Sequence, residues 1–368
     1  MSEAAEMRVV VISNGFNDYT IQMANALAKR GVVVLLIMPE SDNSSLDETV
    51  DLGAQMDTYL YPQPRLYQAS NISLMYRFLK EIDRFRPDVI HLQGAHLWLS
   101  FIMPILKMKG YALAITFHDP IPHEGENYMR TRFSNYCGRL FCDRAFTHGE
   151  RLRELMIERL QYPENRVHAI TMGECNVAPF KRFESQDIAE DGHNILFFGR
   201  IHAYKGLEYL IKAAPLIARE VPDAKVIIAG AGEDFEKYER MIVDRQNFSI
   251  YNYLIPFDKG AELIQKSSVI VLPYTDASQS GVVPTAYGFK KPVIVTDVGA
   301  IPEIVDDGIT GFIVPPRDPE ALARATITLL RDDSLRIWMG EQGYRKLKTD
   351  MSWDAITERI EGIYQEMI

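Results

Sequence analysis

The chain is poor in the features that would place it outside a cell or inside a membrane. Its 368 residues hold three cysteines, Cys137, Cys142 and Cys175, with no Cys-x-x-Cys spacing. An odd, scattered set supports neither a disulfide framework nor a zinc site, so a reduced cytoplasmic protein is expected. Long apolar runs are missing too. The most apolar helix-length stretch, Leu97 to Met108, contains Pro104 and Lys107 and falls well short of the ~20 residues that a membrane span needs. Met7 to Ile12, behind a polar and acidic start, is too short for the apolar core of a secretion signal. Positive charge is not in excess. The formal net charge is -10, which argues against nucleic acid as the main partner. Residues 1–180 carry 18 Lys and Arg against 21 Asp and Glu, and residues 181–368 carry 22 against 29. The first half is nearer neutrality, which is compatible with peripheral contact at an anionic membrane surface.

What is present reads as a soluble globular protein, 47% hydrophobic and 24% charged. The length is too great for one ordinary core, so two domains are the expectation. Strands and helices alternate throughout, and this predicts doubly wound parallel sheets. Val9 to Ile12, Val32 to Ile37, Val89 to Leu92, Ala112 to Phe117, Ala145 to Thr147 and Val167 to Ile170 read as strands of the first half. Those of the second are Ile195 to Phe198, Lys225 to Ala229, Ile250 to Leu254, Val269 to Leu272, Val293 to Thr296 and Phe312 to Val314. Ser41 to Gln68 is polar and proline-containing, and little can be placed in it. Pro179 to Gly192 breaks the rhythm with charges and no apolar period, so the linker is placed there. The expected organisation is a domain over 1–178, a linker over 179–192, a domain over 193–351 and a final helix over 352–368.

Two stretches carry chemistry. Asn194 to Gly206 reads N-I-L-F-F-G-R-I-H-A-Y-K-G: a buried strand broken by Gly199, then a short turn flanked by Arg200 and Lys205. A helical pattern follows through Leu207, Leu210, Ile211, Ala214 and Ile217, with Pro215 inside it. Two cations before a helix N-terminus make a natural diphosphate cradle, although the same pattern also suits a solvated turn. In the second stretch, Leu272 to Glu303, a strand ends at Pro273 and a helix is expected near Gly281. Ser278, Ser280 and Gly281 would offer backbone N–H groups to an anion or to sugar hydroxyls, or act as an ordinary cap. Gly230-Ala231-Gly232 invites a nicotinamide-binding reading, but its third glycine position is Phe235. The close helix approach that this fingerprint requires is therefore missing.

The F-G-R…K-G turn, the run S-Q-S-G-V-V…A-Y…K-P-V-I-V-T-D-V-G-A-I-P-E and the run D-G-I-T-G-F-I-V-P-P-R-D-P-E resemble family 4 glycosyltransferases. These are retaining enzymes of the GT-B architecture, in which two Rossmann-like doubly wound domains face each other across a cleft. The likeness covers nearly all of the second half and is mainly one of layout in the first. It implies a nucleotide-sugar donor on the C-terminal domain and an acceptor on the N-terminal one. Arg200 and Lys205 would hold the diphosphate, with Gly199 and the backbone around Ser280, Gly281, Val282 and Val283. The chain from Tyr253 through Ile255 to Pro256 would meet the base. The family has two glutamates eight positions apart where this chain has Ala277 and Thr285. Thr285 would make a weaker version of the ribose contact. His118, in T-F-H-D-P-I-P-H, coincides with the family's interdomain histidine that contacts the donor sugar. Asp119 would orient it or cap the following turn. Gly15, His96 and Asp119 are acceptor-side candidates.

The chain has no Asp-x-Asp pair, so no metal bridge to the diphosphate is expected, and Arg200 and Lys205 would stabilise the leaving group themselves. The reading is a metal-independent, retaining hexosyltransferase without a cofactor, using a nucleotide sugar, UDP-sugar favoured, as cosubstrate. The acceptor would be a carbohydrate, a lipid or a small molecule, in glycolipid, polysaccharide or small glycoside synthesis. Two alternatives stand beside it: a nucleotide-sugar epimerase of the same fold, and a non-catalytic nucleotide-binding partner subunit.

Overall fold

The computed structural model describes residues 6–13, 15–40, 55–63, 70–94, 96–121, 128–190, 193–232 and 235–368. The chain forms two units, one of Met1–Thr171 with Trp353–Ile368, the other of Met172–Ser352.

In the first unit the strands are β1 (Arg8–Ser13), β2 (Val33–Pro39), β3 (Met56–Tyr61), β4 (Val89–Gln93), β5 (Ala112–Phe117), β6 (Arg144–His148) and β7 (Val167–Ile170). The helices are α1 (Asn17–Lys29), α2 (Ser70–Phe85), α3 (Leu97–Met108), α4 (Tyr128–Phe141) and α5 (Glu150–Leu160). All pairings are parallel, in the order β3-β2-β1-β4-β5-β6-β7. The continuous apolar runs of β1 and β2 are buried, as strands covered on both faces must be. β3 was not expected. It is an edge strand in which only Tyr61 is buried, so it lacks the apolar run that betrays an inner strand.

The second unit holds α6 (Val177–Lys181), β8 (Asn194–Phe198), α7 (Leu207–Glu220), β9 (Lys225–Ala229), α8 (Phe235–Glu239), β10 (Phe248–Tyr251) and α9 (Phe257–Lys266). After these come β11 (Val269–Leu272), α10 (Val282–Gly288), β12 (Val293–Thr296), β13 (Gly311–Val314), α11 (Pro319–Arg331) and α12 (Asp333–Lys348). Its sheet is also parallel, in the order β10-β9-β8-β11-β12-β13. β10 ends earlier than expected because the Tyr253 N–H turns back to the Tyr251 carbonyl (3.0 Å).

The expected linker is corrected. The units divide after Thr171, and the stretch from Pro179 onward belongs to the second unit. Val177 and Phe180 are buried in that unit's core with Ala261, Ile264 and Tyr287. Ser185 exchanges two backbone hydrogen bonds with the Gln265 side chain (3.2 and 2.7 Å). Glu190 pairs with Lys291 at 2.9 Å and with Arg336 at 2.8 Å. Charges that read as solvated linker are thus partnered across the fold. Asp191 and Gly192 lie outside the described residues.

The closing helix α13 (Trp353–Gln365) is part of the first unit. Trp353, Ile356, Ile360 and Tyr364 are buried. The Trp353 ring meets Tyr19 edge-on at 4.8 Å, and its Nε1 donates to Gln22 Oε1 at 3.0 Å. Arg30 on α1 pairs with Asp354 (2.8 Å) and Glu361 (2.9 Å), half-exposed contacts worth about 1 kcal/mol or less each. The apolar face does most of the holding. No described helix is long and apolar enough to cross a membrane, and the three cysteines are buried and form no disulfide.

Truncating Ile360, which is fully buried, should destabilise the first unit by about 2–5 kcal/mol. The same Ile→Ala change at Ile337, which is exposed, should stay within about 0.5 kcal/mol. Urea unfolding of both variants checks this, and equal midpoints would mean that α13 is not a structural part of the unit.

Candidate functional site

In both sheets the chain runs outward from its first strand, then returns to start again on that strand's other side. The connecting segments leave on opposite faces at this reversal and open a crevice at the carboxyl ends of the two central strands. In the second unit those strands are β8 and β11. Arg200 and Lys205 follow β8, and Ser278 to Thr285 follow β11, so one sheet edge collects both chemistry-bearing stretches.

The turn after β8 is tightly determined. The Gly199 N–H donates to the Ala229 carbonyl (2.9 Å), and a Cβ on Gly230 would sit 1.9 Å from the Gly199 oxygen. Ala203 to Lys205 form one turn of 3-10 helix, closed by Gly206 in the left-handed region at φ +66°. A Cβ on Gly206 would lie 1.8 Å from the Pro273 carbonyl oxygen. The Thr275 N–H donates to the Tyr204 carbonyl at 2.7 Å. These contacts pin the β8 and β11 loops together.

Lys205 is held by an aromatic ring. Its Nζ stands 3.9 Å from the centroid of buried Tyr274, a cation–π contact. The Tyr274 hydroxyl meets Ser280 Oγ at 3.2 Å, and that oxygen accepts the Val282 N–H at 3.3 Å. Arg200 is exposed, and among the described residues neither cation has a carboxylate partner. The Gly281 N–H has no protein acceptor among the described residues, whereas the Val283 N–H reaches the Ser280 carbonyl at 3.4 Å. Ser278 is buried and Val282 half-buried. Tyr253, exposed, and Ile255, half-buried against the core, follow β10, two strands from β8.

Thr285 departs from expectation. It is buried, and its hydroxyl donates back to the Gly281 carbonyl at 2.8 Å. A short β-branched hydroxyl inside a helix finds the carbonyl four residues earlier before it finds a ligand. The proton that would meet a ribose oxygen is therefore already engaged.

The first unit is built around a buried polar chain. His91 and Gln93 interrupt the apolar strand β4, and both are fully buried. With the Gln93 oxygen toward His118, the His118 Nε2–H donates to Gln93 Oε1 (3.2 Å). The Gln93 amide nitrogen then donates to His91 Nε2 (3.2 Å), which also accepts from the Thr116 hydroxyl (2.7 Å). His91 Nδ1 meets the Tyr364 hydroxyl of α13. His118 Nδ1 accepts from His148 Nε2–H at 3.0 Å. Phe16 stacks on the His118 ring at 3.8 Å, and Tyr19 meets it edge-on at 5.0 Å.

Both ring nitrogens of His118 are thus engaged inside its own unit, and the side chain is buried. This differs from a histidine presented to a donor sugar. Asp119 is half-buried, and its charge acts on His148. His96 caps α3, with Nδ1 accepting the Trp98 N–H at 3.2 Å. Gly15 is exposed in the left-handed region at φ +97°. His123 lies outside the described residues. Residue-by-residue reading missed Gln93, His148 and Tyr274. A polar residue inside or closing a buried strand is the signal for the first two; nothing local marks the third.

Two family models match the chain. One, described as Glycosyltransferase Family 4, covers residues 13–173, and one, described as Glycosyl transferases group 1, covers residues 192–332. Alpha-D-kanosaminyltransferase of Streptomyces kanamyceticus is 29% identical over 231 residues, 59% of this chain and 59% of that protein. The chain thus spans about three fifths of that relative's length. Sucrose-phosphate synthase from Thermosynechococcus elongatus superposes with a TM-score of 0.77 at 18% identity, covering 98% of this chain and 99% of that one. Anabaena HepE, solved in complex with UDP, superposes at 0.76 with 15% identity, covering 98% and 100%. At such identities these two structures show the fold alone: two Rossmann-like domains, each with a parallel sheet.

The histidine chain has a consequence for pH. Burial pushes His91 down to about 3 and His148 down to about 4, with the Asp119 charge opposing the shift at His148. His118 is driven well below its ordinary value by burial and by its two histidine neighbours. All three are neutral when folded and take up a proton on unfolding below about pH 6.5. Their stabilising contribution is complete above that pH and is lost as pH falls toward 4, at roughly 1.4 kcal/mol per pH unit for each histidine. The urea midpoint of the first unit should therefore fall between pH 7 and pH 5, with a shallower slope in His148→Gln. A midpoint unchanged over that range would show the histidines titrating normally.

Proposed function

Because the chain belongs to the family 4 glycosyltransferases of the GT-B fold, we propose that it moves a hexose from a nucleotide diphosphate sugar to a hydroxyl acceptor. The observation that carries this reading is the cation pair at the strand-order reversal of the second unit. Arg200 and Lys205 stand at the carboxyl edge without carboxylate partners among the described residues, and Lys205 is seated on Tyr274. Such cations suit the charge that builds on a departing diphosphate. The Gly281 N–H adds a donor beside them. A UDP-sugar is the favoured donor, in keeping with the UDP complex of HepE.

The stereochemistry we propose is retention. The diphosphate leaves under Arg200 and Lys205 as the anomeric C–O bond breaks, an oxocarbenium-like sugar forms, and the acceptor hydroxyl attacks from the face the leaving group vacated, passing its proton to the departing phosphate oxygen. No motif side chain offers itself as a covalent nucleophile, and the two cations carry the leaving-group role without a metal. The first unit would hold the acceptor, a carbohydrate, lipid or small glycoside, beside the loops after β1, β4 and β5. His118 enters this reading as a residue that positions those loops through Gln93 and His148, because both its nitrogens are engaged. We set the epimerase aside, since both family models and the kanosaminyltransferase are glycosyltransferases. A non-catalytic nucleotide-binding subunit keeps one point in its favour. Thr285 is turned into its own helix and Ala277 is buried, which leaves the ribose less firmly held.

Arg200→Ala and Lys205→Ala should each lower kcat by about 10²–10³ at saturating donor while the melting temperature stays within a degree or two. Release of UDP from UDP-hexoses over an acceptor panel measures this. Near wild-type kcat in either variant would mean that the diphosphate lies elsewhere. Nucleotide binding by calorimetry without turnover on any acceptor would favour the non-catalytic reading.

A further inference from the structure

α4 is built the wrong way round for a helix facing water. Its inward positions are small or polar: Ser134, Asn135, Cys137 and Gly138 are buried. Gly138 lies so close to the sheet that a Cβ would sit 2.8 Å from Phe117. Its outward positions are apolar: Met129 is 75% exposed, Phe133 42%, Tyr136 53% and Leu140 55%. They recur at i, i+4, i+7 and i+11, one continuous stripe on a helix. α3 extends the patch, with Phe101 exposed 6.0 Å from Phe133 and Met108 also exposed.

The charges that these two helices carry are all of one sign, with Lys107 paired to Asp143, just past α4, at 2.6 Å. α3 and α4 carry Lys107, Arg130, Arg132 and Arg139 and no acidic residue, in a chain of net charge -10. A cavity of about 430 Å³ opens beside α4, lined by Arg132, Arg139, Arg159 and Tyr136 and, among the described residues, by no carboxylate. Arg139 stands over the Tyr136 ring at 5.5 Å, and Arg159 has no partner among the described residues. An apolar stripe next to an arginine-lined hollow matches an amphiphile that pairs acyl chains with a phosphate. A second copy of the chain would set arginine against arginine across a two-fold interface, which charge disfavours.

We propose that this face docks on an anionic lipid bilayer, with Met129, Phe133, Tyr136 and Leu140 entering the interface and a headgroup phosphate in the arginine-lined cavity. Interfacial helices of this kind combine apolar burial with attraction to anionic lipid. The proposal does not depend on the transfer reaction, since it concerns binding to lipid without a donor present.

Sedimentation of the full chain with vesicles tests it, using phosphatidylcholine alone and mixed with phosphatidylglycerol. Binding to the mixed vesicles is expected, with much weaker binding to the neutral ones and a loss at 0.5 M NaCl. Each arginine removed should lower partitioning about fivefold, so Arg132→Ala with Arg159→Ala should lower it roughly 25-fold. Phe133→Ser with Leu140→Ser, both surface changes, should weaken binding to the mixed vesicles at every salt concentration. Equal binding to both vesicle types, or variants that bind like the parent, would overturn the proposal. So would a dimer in vesicle-free ultracentrifugation that Phe133→Ser dissolves, since the face would then be a self-interface. Displacement from vesicles by millimolar inorganic phosphate, with the apolar variants unaffected, would reduce the cavity to a free-anion site and overturn the docking.

Discussion

Parallel strands covered on both faces have no polar groups to offer except at their ends. That constraint arranges everything else in this protein. The amides and carbonyls of β8, β9 and β11 are engaged along the ladder, and the loops at the carboxyl edge carry what remains. Where the strand order reverses, two such loops stand side by side. The Thr275–Tyr204 hydrogen bond and the Lys205–Tyr274 contact join them. A cation held over a ring is worth about 0.5–2 kcal/mol, modest as stability but sufficient to keep a flexible lysine aimed. Gly206 and Gly230 permit the backbone approach that this needs, because any larger residue would collide with a carbonyl.

The first unit meets the same constraint differently. Its central strands admit polar side chains, and burial then requires each to find a partner. His91, Gln93, His118 and His148 supply one another, and Tyr364 of α13 meets the end of the chain of bonds at His91. The closing helix is thereby tied to the interior of its unit by a polar contact as well as by apolar packing. It also explains why His118 is a poor candidate for direct contact with a ligand: turning it outward would strand the Gln93 oxygen and the His148 Nε2–H in an apolar interior, at about 1–3 kcal/mol for each group left unpaired.

α4 shows the reverse tension, with polar and small residues inward and large apolar ones outward. The inward set follows from close approach to Phe117, which excludes bulk. The outward set has no such explanation within the unit, and this asymmetry is what distinguishes the α4 face from the scattered exposed apolar residues that any protein carries.

The alternation of elements, most strands and the cation-bearing turn were legible in the sequence, because inner parallel strands are apolar runs punctuated by glycine and proline. The edge strand β3 was not, since an edge needs no such run. The linker was misplaced for a related reason: Glu190 reads as a solvated charge until Lys291 and Arg336, more than a hundred residues on, are brought beside it. Thr285 could be seen to replace a longer acid, but only the helix shows its hydroxyl turned to Gly281. The sequence by itself determined the two parallel sheets, the positions of Arg200 and Lys205 at a strand end, and the apolar face of the final helix, since each depends on local pattern. Only the tertiary structure decided that Tyr274 seats Lys205, that His118 is enclosed by Gln93 and His148, and that 172–190 packs with the second unit. Those outcomes depend on which distant side chains meet, and burial sets that only once the whole chain has closed on itself.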